Sequence, residues 1–246
     1  MNNRILYVVG IGPGNEEGMT IRARRILDEC SVIAGYKTYI DLVKSYLAED
    51  KKYISTGMKQ ERDRCRQALD YLAANDEKLC MICSGDASVY GMAGILFEMA
   101  AEYENIDIEV VPGVSAAMSG SALLGAAIGH DIAIISLSDL LTPRELIEKR
   151  LISAAQGDFV ICLYNPASRQ RADYLRWACE LIMQYKSEDT VCGYVKNIGR
   201  DEEQYNILTL KELMDTEVDM FTTVFIGNDN TKIINGRMVT PRGYIL

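Results

Sequence analysis

Histidine is almost absent from this chain: His130 is the only one in 246 residues. There is no His-x-His pair and only one Cys-x-x-Cys spacing, Cys80 to Cys83, so the ligand set of a zinc site is missing and no resident metal is expected. Residues three apart on a strand face opposite ways, and both cysteines read as buried strand thiols. No Ser-His-Asp order or nucleophilic cysteine motif is evident. Cations are also scarce, with 26 Lys and Arg against 35 Asp and Glu and a net charge of -9. That balance argues against a nucleic-acid partner, because phosphate binding requires clustered cations, although a local basic pocket could still hold a small polyanion. Apolar runs are too short to span a membrane, and the N-terminus shows no apolar segment with a small-residue cleavage site. The seven cysteines are odd in number and scattered, which fits a reducing compartment better than a disulfide framework. A cytoplasmic protein is the expectation.

What the chain does have is a sequence of short apolar runs alternating with helical periodicity. Its centre is Val110-Val111-Pro112-Gly113-Val114-Ser115-Ala116. Pro112 cannot extend a ladder and Gly113 frees the backbone, so the chain turns there, and a run of small residues follows. On this basis an N-terminal α/β domain covers 1–112 and a C-terminal α/β domain covers 113–246. In the first, strands at 4–9, 31–34, 53–55, 79–83 and 106–111 alternate with helices at 19–29, 36–47, 59–75 and 92–103. That alternation predicts a mostly parallel sheet with crossover helices.

Two loops at strand ends stand out. Gly10-Ile11-Gly12-Pro13-Gly14 is close to a dinucleotide fingerprint, but Pro13 removes an N–H, Asn15 replaces the last glycine and no acidic residue follows the second strand. Ser84-Gly85-Asp86-Ala87-Ser88-Val89-Tyr90-Gly91 follows the strand at 79–83. Loops at the carboxyl ends of parallel strands are where ligands bind, though Asp86 could equally cap the helix that follows.

The second half predicts a helix running to Ala127, then Gly129-His130-Asp131 and a strand at 132–137. Thr142-Pro143-Arg144-Glu145 reads as an N-cap, a first-turn proline and a capping-box glutamate. A strand at 158–163 ends in Tyr164-Asn165-Pro166, and a helix at 170–185 carries the only tryptophan, Trp177, in a packing role. Strands at 190–195, 204–209 and 221–228 follow, with 231–234 completing the sheet. The late connections are too short for helical crossovers, which predicts a mixed sheet.

Taken in order, the Gly-x-Gly-Pro-Gly loop, Gly85-Asp86-x-x-Val89-Tyr90-Gly91, Val111 to Ala116, Leu163-Tyr164-Asn165-Pro166 and Asn197-x-Gly199-Arg200 resemble the tetrapyrrole methylase family over nearly the whole chain. Gly129-His130-Asp131, Ile135 to Pro143 and Ser168-x-x-Arg171 resemble its branch that methylates carbon 17 of precorrin-3B, or the cobalt-containing equivalent, in cobalamin synthesis. The resemblance implies two α/β domains with a cleft between them, S-adenosylmethionine as cofactor, a tetrapyrrole substrate and a homodimer. It places cofactor contacts on Pro13, Ser84, Gly85, Asp86, Val89, Ser115, Ala116 and Tyr164, and more loosely on Asn197 and Thr223. Two departures are Ala87, where many relatives have proline, and Arg144, where an aromatic residue is expected.

Methyl transfer from a sulfonium to an electron-rich carbon needs positioning and exclusion of water more than covalent help. Ring contraction, which accompanies methylation in this branch, could use an acid or base; Asp86 and the His130-Asp131 pair are the candidates. For a substrate rich in carboxylates the candidates are Gly12 and the cations Lys37, Arg144, Arg171 and Arg200. Other readings are a family methyltransferase acting at another ring position or on another substrate, such as a protein side chain, and a module that binds a tetrapyrrole or the cofactor without turnover.

Overall fold

The computed structural model describes residues 4–168 and 171–245. The chain forms two compact units, Met1–Ala116 and Ala117–Leu246. The sequence places that division four residues earlier, at 112/113. Residues 113–116 stay with the first unit because the Gly113 N–H is tied to Asp86 at 3.0 Å.

In the first unit, β1 (Arg4–Gly10), α1 (Ile21–Glu29), β2 (Val32–Tyr36), α2 (Lys37–Lys44), β3 (Lys52–Thr56), α3 (Glu61–Ala74), β4 (Leu79–Cys83), α4 (Ala93–Ala100) and β5 (Ile106–Val111) alternate strictly. The sheet has order β3-β2-β4-β1-β5 and every pairing is parallel. β4 is buried throughout because both its faces are covered: Leu79, Met81 and Cys83 pack with Leu69 and Leu72 of α3 and Leu96 of α4. Cys80 and Ile82 pack the other way, with Leu27 of α1 and Ile40 of α2. Cys80 and Cys83 therefore lie on opposite faces. Burying one such aliphatic side chain stabilises the unit by about 1.5–3 kcal/mol, so truncating fully buried Met81 would cost roughly 2–5 kcal/mol.

Helix ends are set locally. Thr20 caps α1, its hydroxyl accepting the Ala23 N–H at 3.1 Å. Lys59 has φ 63, which prevents α3 from starting there; it starts at Glu61, with Glu61 and Asp63 favourable to its positive end.

The second unit contains α5 (Ala116–Leu124), which begins on the last residue of the first unit, then β6 (Gly125–Ala126), β7 (Ile132–Ser136), α6 (Arg144–Gln156), β8 (Val160–Tyr164), α7 (Tyr174–Ile182), β9 (Val191–Lys196), β10 (Gln204–Thr209), α8 (Leu210–Met214), β11 (Thr222–Ile226), β12 (Lys232–Ile234) and β13 (Arg237–Val239). Its main sheet, β10-β9-β11-β8-β7, is mixed: β7 and β8 are parallel, and the remaining pairs are antiparallel. Its core joins Ile147 and Leu151 of α6, Leu175 and Cys179 of α7, and Leu163 and Val224 of the sheet. Trp177 packs against this cluster.

Three expectations change. Segment 231–234 does not complete the main sheet; β12 turns through Asn235 (φ 50) and Gly236 (φ 74) onto β13, which pairs with β6 in a separate sheet. Paired positive φ values belong to a tight hairpin turn, which Asn-Gly adopts readily. The helix of small residues ends at Leu124 rather than Ala127, because Gly125 takes φ 135. Finally, Pro143 with ψ 140 is the N-cap of α6 and makes no side-chain cap bond, so Thr142 lies outside the helix and the capping box does not form. Glu145 still sits in the first turn.

Candidate active site

In the first unit, the chain leaves β1 through α1 on one face and leaves neighbouring β4 through α4 on the other. Such a switch point opens a crevice at the carboxyl ends of the two strands, the usual ligand position in an open α/β sheet. The loops there are locked together. Gly12 and Gly85 exchange both backbone hydrogen bonds, N–H to carbonyl at 3.1 and 2.7 Å, and both have positive φ, 74 and 67. The Asp86 carboxylate accepts the Ser88 N–H at 2.8 Å and the Gly113 N–H at 3.0 Å. A Cβ on Gly113 would lie 2.1 Å from the Gly85 carbonyl oxygen, and one on Gly10 would lie 2.7 Å from the same atom. These backbones touch, which only glycine permits.

The structure thus brings together Gly12, Gly85, Asp86, Ser115 and Ala116. A Cβ on Gly85 would sit 3.6 Å from both Ser115 Cα and Ala116 N, so bare backbone faces bare backbone across a narrow gap. Ser115 is buried, and Pro13, Ser84 and Val89 are half-buried. This surface, made of glycine backbone with small side chains, suits a neutral or zwitterionic ligand held by backbone groups. Asp86 has both oxygens engaged by backbone amides, and Gly12 has both backbone groups engaged by Gly85, so each acts here as a brace. Lys37 is exposed and pairs with Asp41 at 2.7 Å.

In the second unit, the ends of the parallel pair β7–β8 carry a polar network that the sequence reading did not assemble. Asn165, at φ 53, donates to Ser136 Oγ at 2.9 Å. Arg171 donates from Nη1 to Ser138 Oγ at 2.8 Å and to Asp139 at 3.2 Å, and from Nε to Ser168 Oγ at 3.1 Å. Tyr174 donates to the other Asp139 oxygen at 2.7 Å. These bonds, Tyr174 first, hold the Asp139 carboxyl below its ordinary range and push the Tyr174 hydroxyl up. Tyr164 accepts the Ala117 N–H at 2.8 Å at the start of α5. Arg144 lies over the Trp177 ring at 4.4 Å, and Arg200 over Phe221 at 5.3 Å. An arginine stacked on an aromatic keeps its charge and its donors. The polar residues Ser136, Ser138 and Asp139 stand in one short motif and Asn165 in another, and nothing local to either shows that they meet.

Thr223 and Asn197 fall at the same edge as Tyr164: Thr223 is buried in β11 next to Val224, which pairs antiparallel with Leu163, and Asn197, at φ 54, turns the chain out of β9 where that strand lies beside the start of β11. His130 and Asp131 precede β7, so they sit at its amino end, whereas Ser136, Tyr164 and Asn165 sit at the carboxyl ends of β7 and β8. One strand of this length separates the two ends by roughly 16 Å. His130 is exposed; its Nδ1 accepts the Asp131 N–H at 2.9 Å and lies 3.4 Å from the Asp131 carboxylate. Gly129 has a packing reason of its own, since a Cβ there would meet the Thr240 carbonyl oxygen at 2.2 Å.

Among the described residues, no group of three or more His, Cys, Asp and Glu is placed to hold a metal ion, and no helix is long and apolar enough to cross a membrane. All seven cysteines are free and buried.

Residues 5–214 match the family model of the tetrapyrrole (corrin/porphyrin) methylases. The chain belongs to this family. Among curated proteins it is 43% identical, over 98% of its length and the whole of the relative, to a protein of Salmonella typhimurium named probable cobalt-factor III C(17)-methyltransferase. It is 45% identical over 97% of its length to cobalamin biosynthesis protein CbiHC of Archaeoglobus fulgidus, of which it spans about half, 52%. The crystal structure of the methyltransferase CobJ superposes with a TM-score of 0.88 at 31% identity, covering 97% of this chain and all of that one. A tetrapyrrole methylase thus carries the braced glycine crevice of the first unit and the Asp139-centred network of the second.

Proposed function

We propose that this tetrapyrrole methylase transfers a methyl group from S-adenosylmethionine to carbon 17 of cobalt-factor III, or of its metal-free equivalent precorrin-3B, and that the macrocycle contracts in the same reaction. The observation that carries the reading is the 43% identity to the Salmonella typhimurium relative with both chains covered end to end. The enzyme is read as a cytoplasmic homodimer, the compartment being supported by seven unpaired thiols.

The first unit fits the cofactor. Gly85 packs against Ser115 and Ala116, where an added Cβ would already be in van der Waals contact at 3.6 Å, and the backbone of these loops presents amides and carbonyls to a ligand at the strand ends. Pro13, Ser84, Gly85, Val89, Ser115 and Ala116 would hold it there, with Asp86 fixing the loop. In the second unit, Tyr164 is the firmest of the implied contacts, and Asn197 and Thr223 are the loosest. When bound, S-adenosylmethionine supplies an electrophilic methyl on a sulfonium. The protein's contribution is orientation: braced loops that do not rearrange, and side chains that keep water from the reacting carbon. Arg144, stacked on the Trp177 ring, is the cation of the second unit best placed to offer donors to substrate carboxylates.

The test is anaerobic incubation with S-adenosylmethionine and either cobalt-loaded or metal-free substrate, followed by mass spectrometry and absorption spectra. The expected product carries one added methyl on a contracted ring, and forms faster from the cobalt-loaded substrate. No methylation of either substrate, or a methyl at another ring position, would overturn the reading.

A further inference from the structure

The carboxyl edge of the first unit's sheet holds a buried cation that forms no ion pair with a described carboxylate. Arg64, in the second turn of α3, is only 4% exposed. Its Nε donates to Thr56 Oγ1 at 2.8 Å, its Nη2 donates to the Gly57 carbonyl at 3.0 Å, and its Cζ lies 5.9 Å from the centre of the Tyr36 ring. All three partners are neutral, and they come from the last residue of β3, the residue after it and the last residue of β2. The only other buried cation among the described residues, Lys186, is neutralised by Asp158 at 2.6 Å. Arg171, also largely enclosed, is neutralised by Asp139. Arg64 has no such ion pair.

A charge enclosed among neutral groups is costly to fold around unless something supplies the opposite charge. The guanidinium also keeps one edge available. Nη1 donates to no described atom, and no described side-chain nitrogen or oxygen that is sealed from solvent lacks a partner, so Nη1 reaches the surface. Its two neighbours are already fixed by Thr56 and Gly57, which leaves a planar donor in a set orientation, the geometry that suits a carboxylate. The surface it reaches is the edge where β2, β3 and β4 end, the side on which ligands bind in such sheets. The charges of Arg64 and of Asp86 are both felt at the thiol of Cys83, the last residue of β4, which puts Arg64 at the same end of the sheet as the Asp86 loop.

We propose that Arg64 binds a carboxylate of the tetrapyrrole substrate through Nη1. This rests on the reading of the protein as a tetrapyrrole methyltransferase. The carboxylate of the cofactor's methionine part has the same chemistry, and the experiment separates the two.

Arg64→Met and Arg64→Lys are compared with wild type in three titrations: uroporphyrin, a tetrapyrrole polycarboxylate, followed by absorbance; its full methyl ester; and S-adenosylhomocysteine by calorimetry. Arg64→Met is expected to weaken uroporphyrin binding about tenfold or more, as loss of a charge-assisted hydrogen bond does. Arg64→Lys should lose less, while ester and S-adenosylhomocysteine binding stay at wild-type strength. Arg64→Met should melt close to wild type, the lost bonds to Thr56 and Gly57 being offset by removal of the enclosed charge; a purely structural arginine would instead lower the melting temperature and leave uroporphyrin binding intact. Unchanged uroporphyrin affinity in both variants, or a loss confined to S-adenosylhomocysteine, would overturn the proposal. Should Arg64→Met not fold, Arg64→Lys against wild type decides on the same criterion. A wild-type protein that binds S-adenosylhomocysteine but no uroporphyrin would overturn the substrate reading itself, and this proposal with it.

Discussion

Asp86 and Gly113 are 27 residues apart in sequence and 3.0 Å apart in space, carboxylate oxygen to backbone N–H, while the second oxygen of Asp86 holds Ser88 at 2.8 Å. The carboxylate therefore ties the loop after β4 to the turn after β5. Asp86→Ala is expected to cost about 2–3 kcal/mol, from two hydrogen bonds to a charged acceptor, and to weaken S-adenosylhomocysteine binding. Asp86→Asn should be nearly as damaging, because an amide nitrogen turned toward Gly113 or Ser88 cannot accept. Thermal melts and calorimetry check both. An Asp86→Asn protein with wild-type stability and cofactor affinity but no turnover would make Asp86 a chemical group instead.

Neighbouring glycines should respond differently. At Gly113 a Cβ would meet the Gly85 carbonyl at 2.1 Å, so Gly113→Ala is expected to lose roughly 3 kcal/mol or more. At Gly85 a Cβ finds ordinary contacts at 3.6 Å, and the main penalty is its φ of 67, about 1–2 kcal/mol. Gly85→Leu should therefore stay folded and bind S-adenosylhomocysteine poorly. A folded Gly85→Leu protein with wild-type affinity would place the cofactor elsewhere.

These two cases also mark the limit of what sequence could say. The alternation of apolar runs with helical stretches was enough for the parallel sheet, because β4 is covered on both faces and reads as an unbroken apolar run. Gly85, Asp86 and Ser115 were legible as loop residues at strand ends. Their assembly was not, because nothing local to Asp86 says that its partner is Gly113. The same holds for the Asp139 network, whose members come from the ends of two strands and the start of a helix, and for Arg64, which reads as one more charge on a charged helix. Asn235-Gly236 was a readable hairpin signal, but the partner β6 is two residues long and lies more than a hundred positions away, so its sheet could not be inferred.

Burial holds Cys65, Cys83 and Cys162 in the protonated form. It pushes Cys83 up to about 12 and Cys65 up to about 11, and raises Cys162 further. Since the thiolate is the reactive form, the native protein is expected to show no fast-reacting thiol with a disulfide reagent at pH about 8, and seven after denaturation. A thiol that reacts within seconds in the native state would reveal local opening at that cysteine.

His130 lies at the amino end of β7, away from the Ser136, Tyr164 and Asn165 cluster, and its contacts are with its own neighbour Asp131. His130→Ala is accordingly expected to change stability by less than about 0.5 kcal/mol, as surface substitutions do, and to leave both methylation and ring contraction at near wild-type yield. Mass and absorption spectra of the product are the check. Accumulation of a methylated macrocycle that has not contracted would assign the acid/base step to His130 after all, and would require the ligand to reach the amino edge of the second unit.

The acid sensitivity of the second unit should centre on Asp139. Its carboxyl is held low by hydrogen bonds from Tyr174 first and from Arg171. A group whose folded pKa is depressed contributes stability that is fully present above its unfolded value, about 3.9, and that is lost as pH falls through the folded value. At pH 7 the contribution is complete and flat. Below about pH 4 it fades, and the tether between the 138–142 loop and α7 weakens with it. Asp139→Asn removes the titrating group, so wild type should lose melting temperature more steeply than Asp139→Asn as pH is lowered from about 5 to about 3, while at pH 7 the variant is the less stable of the two. Melting curves for both proteins across that range test this. Parallel curves would mean that the carboxylate contributes nothing to the fold and that the Arg171 and Tyr174 contacts do not persist in solution.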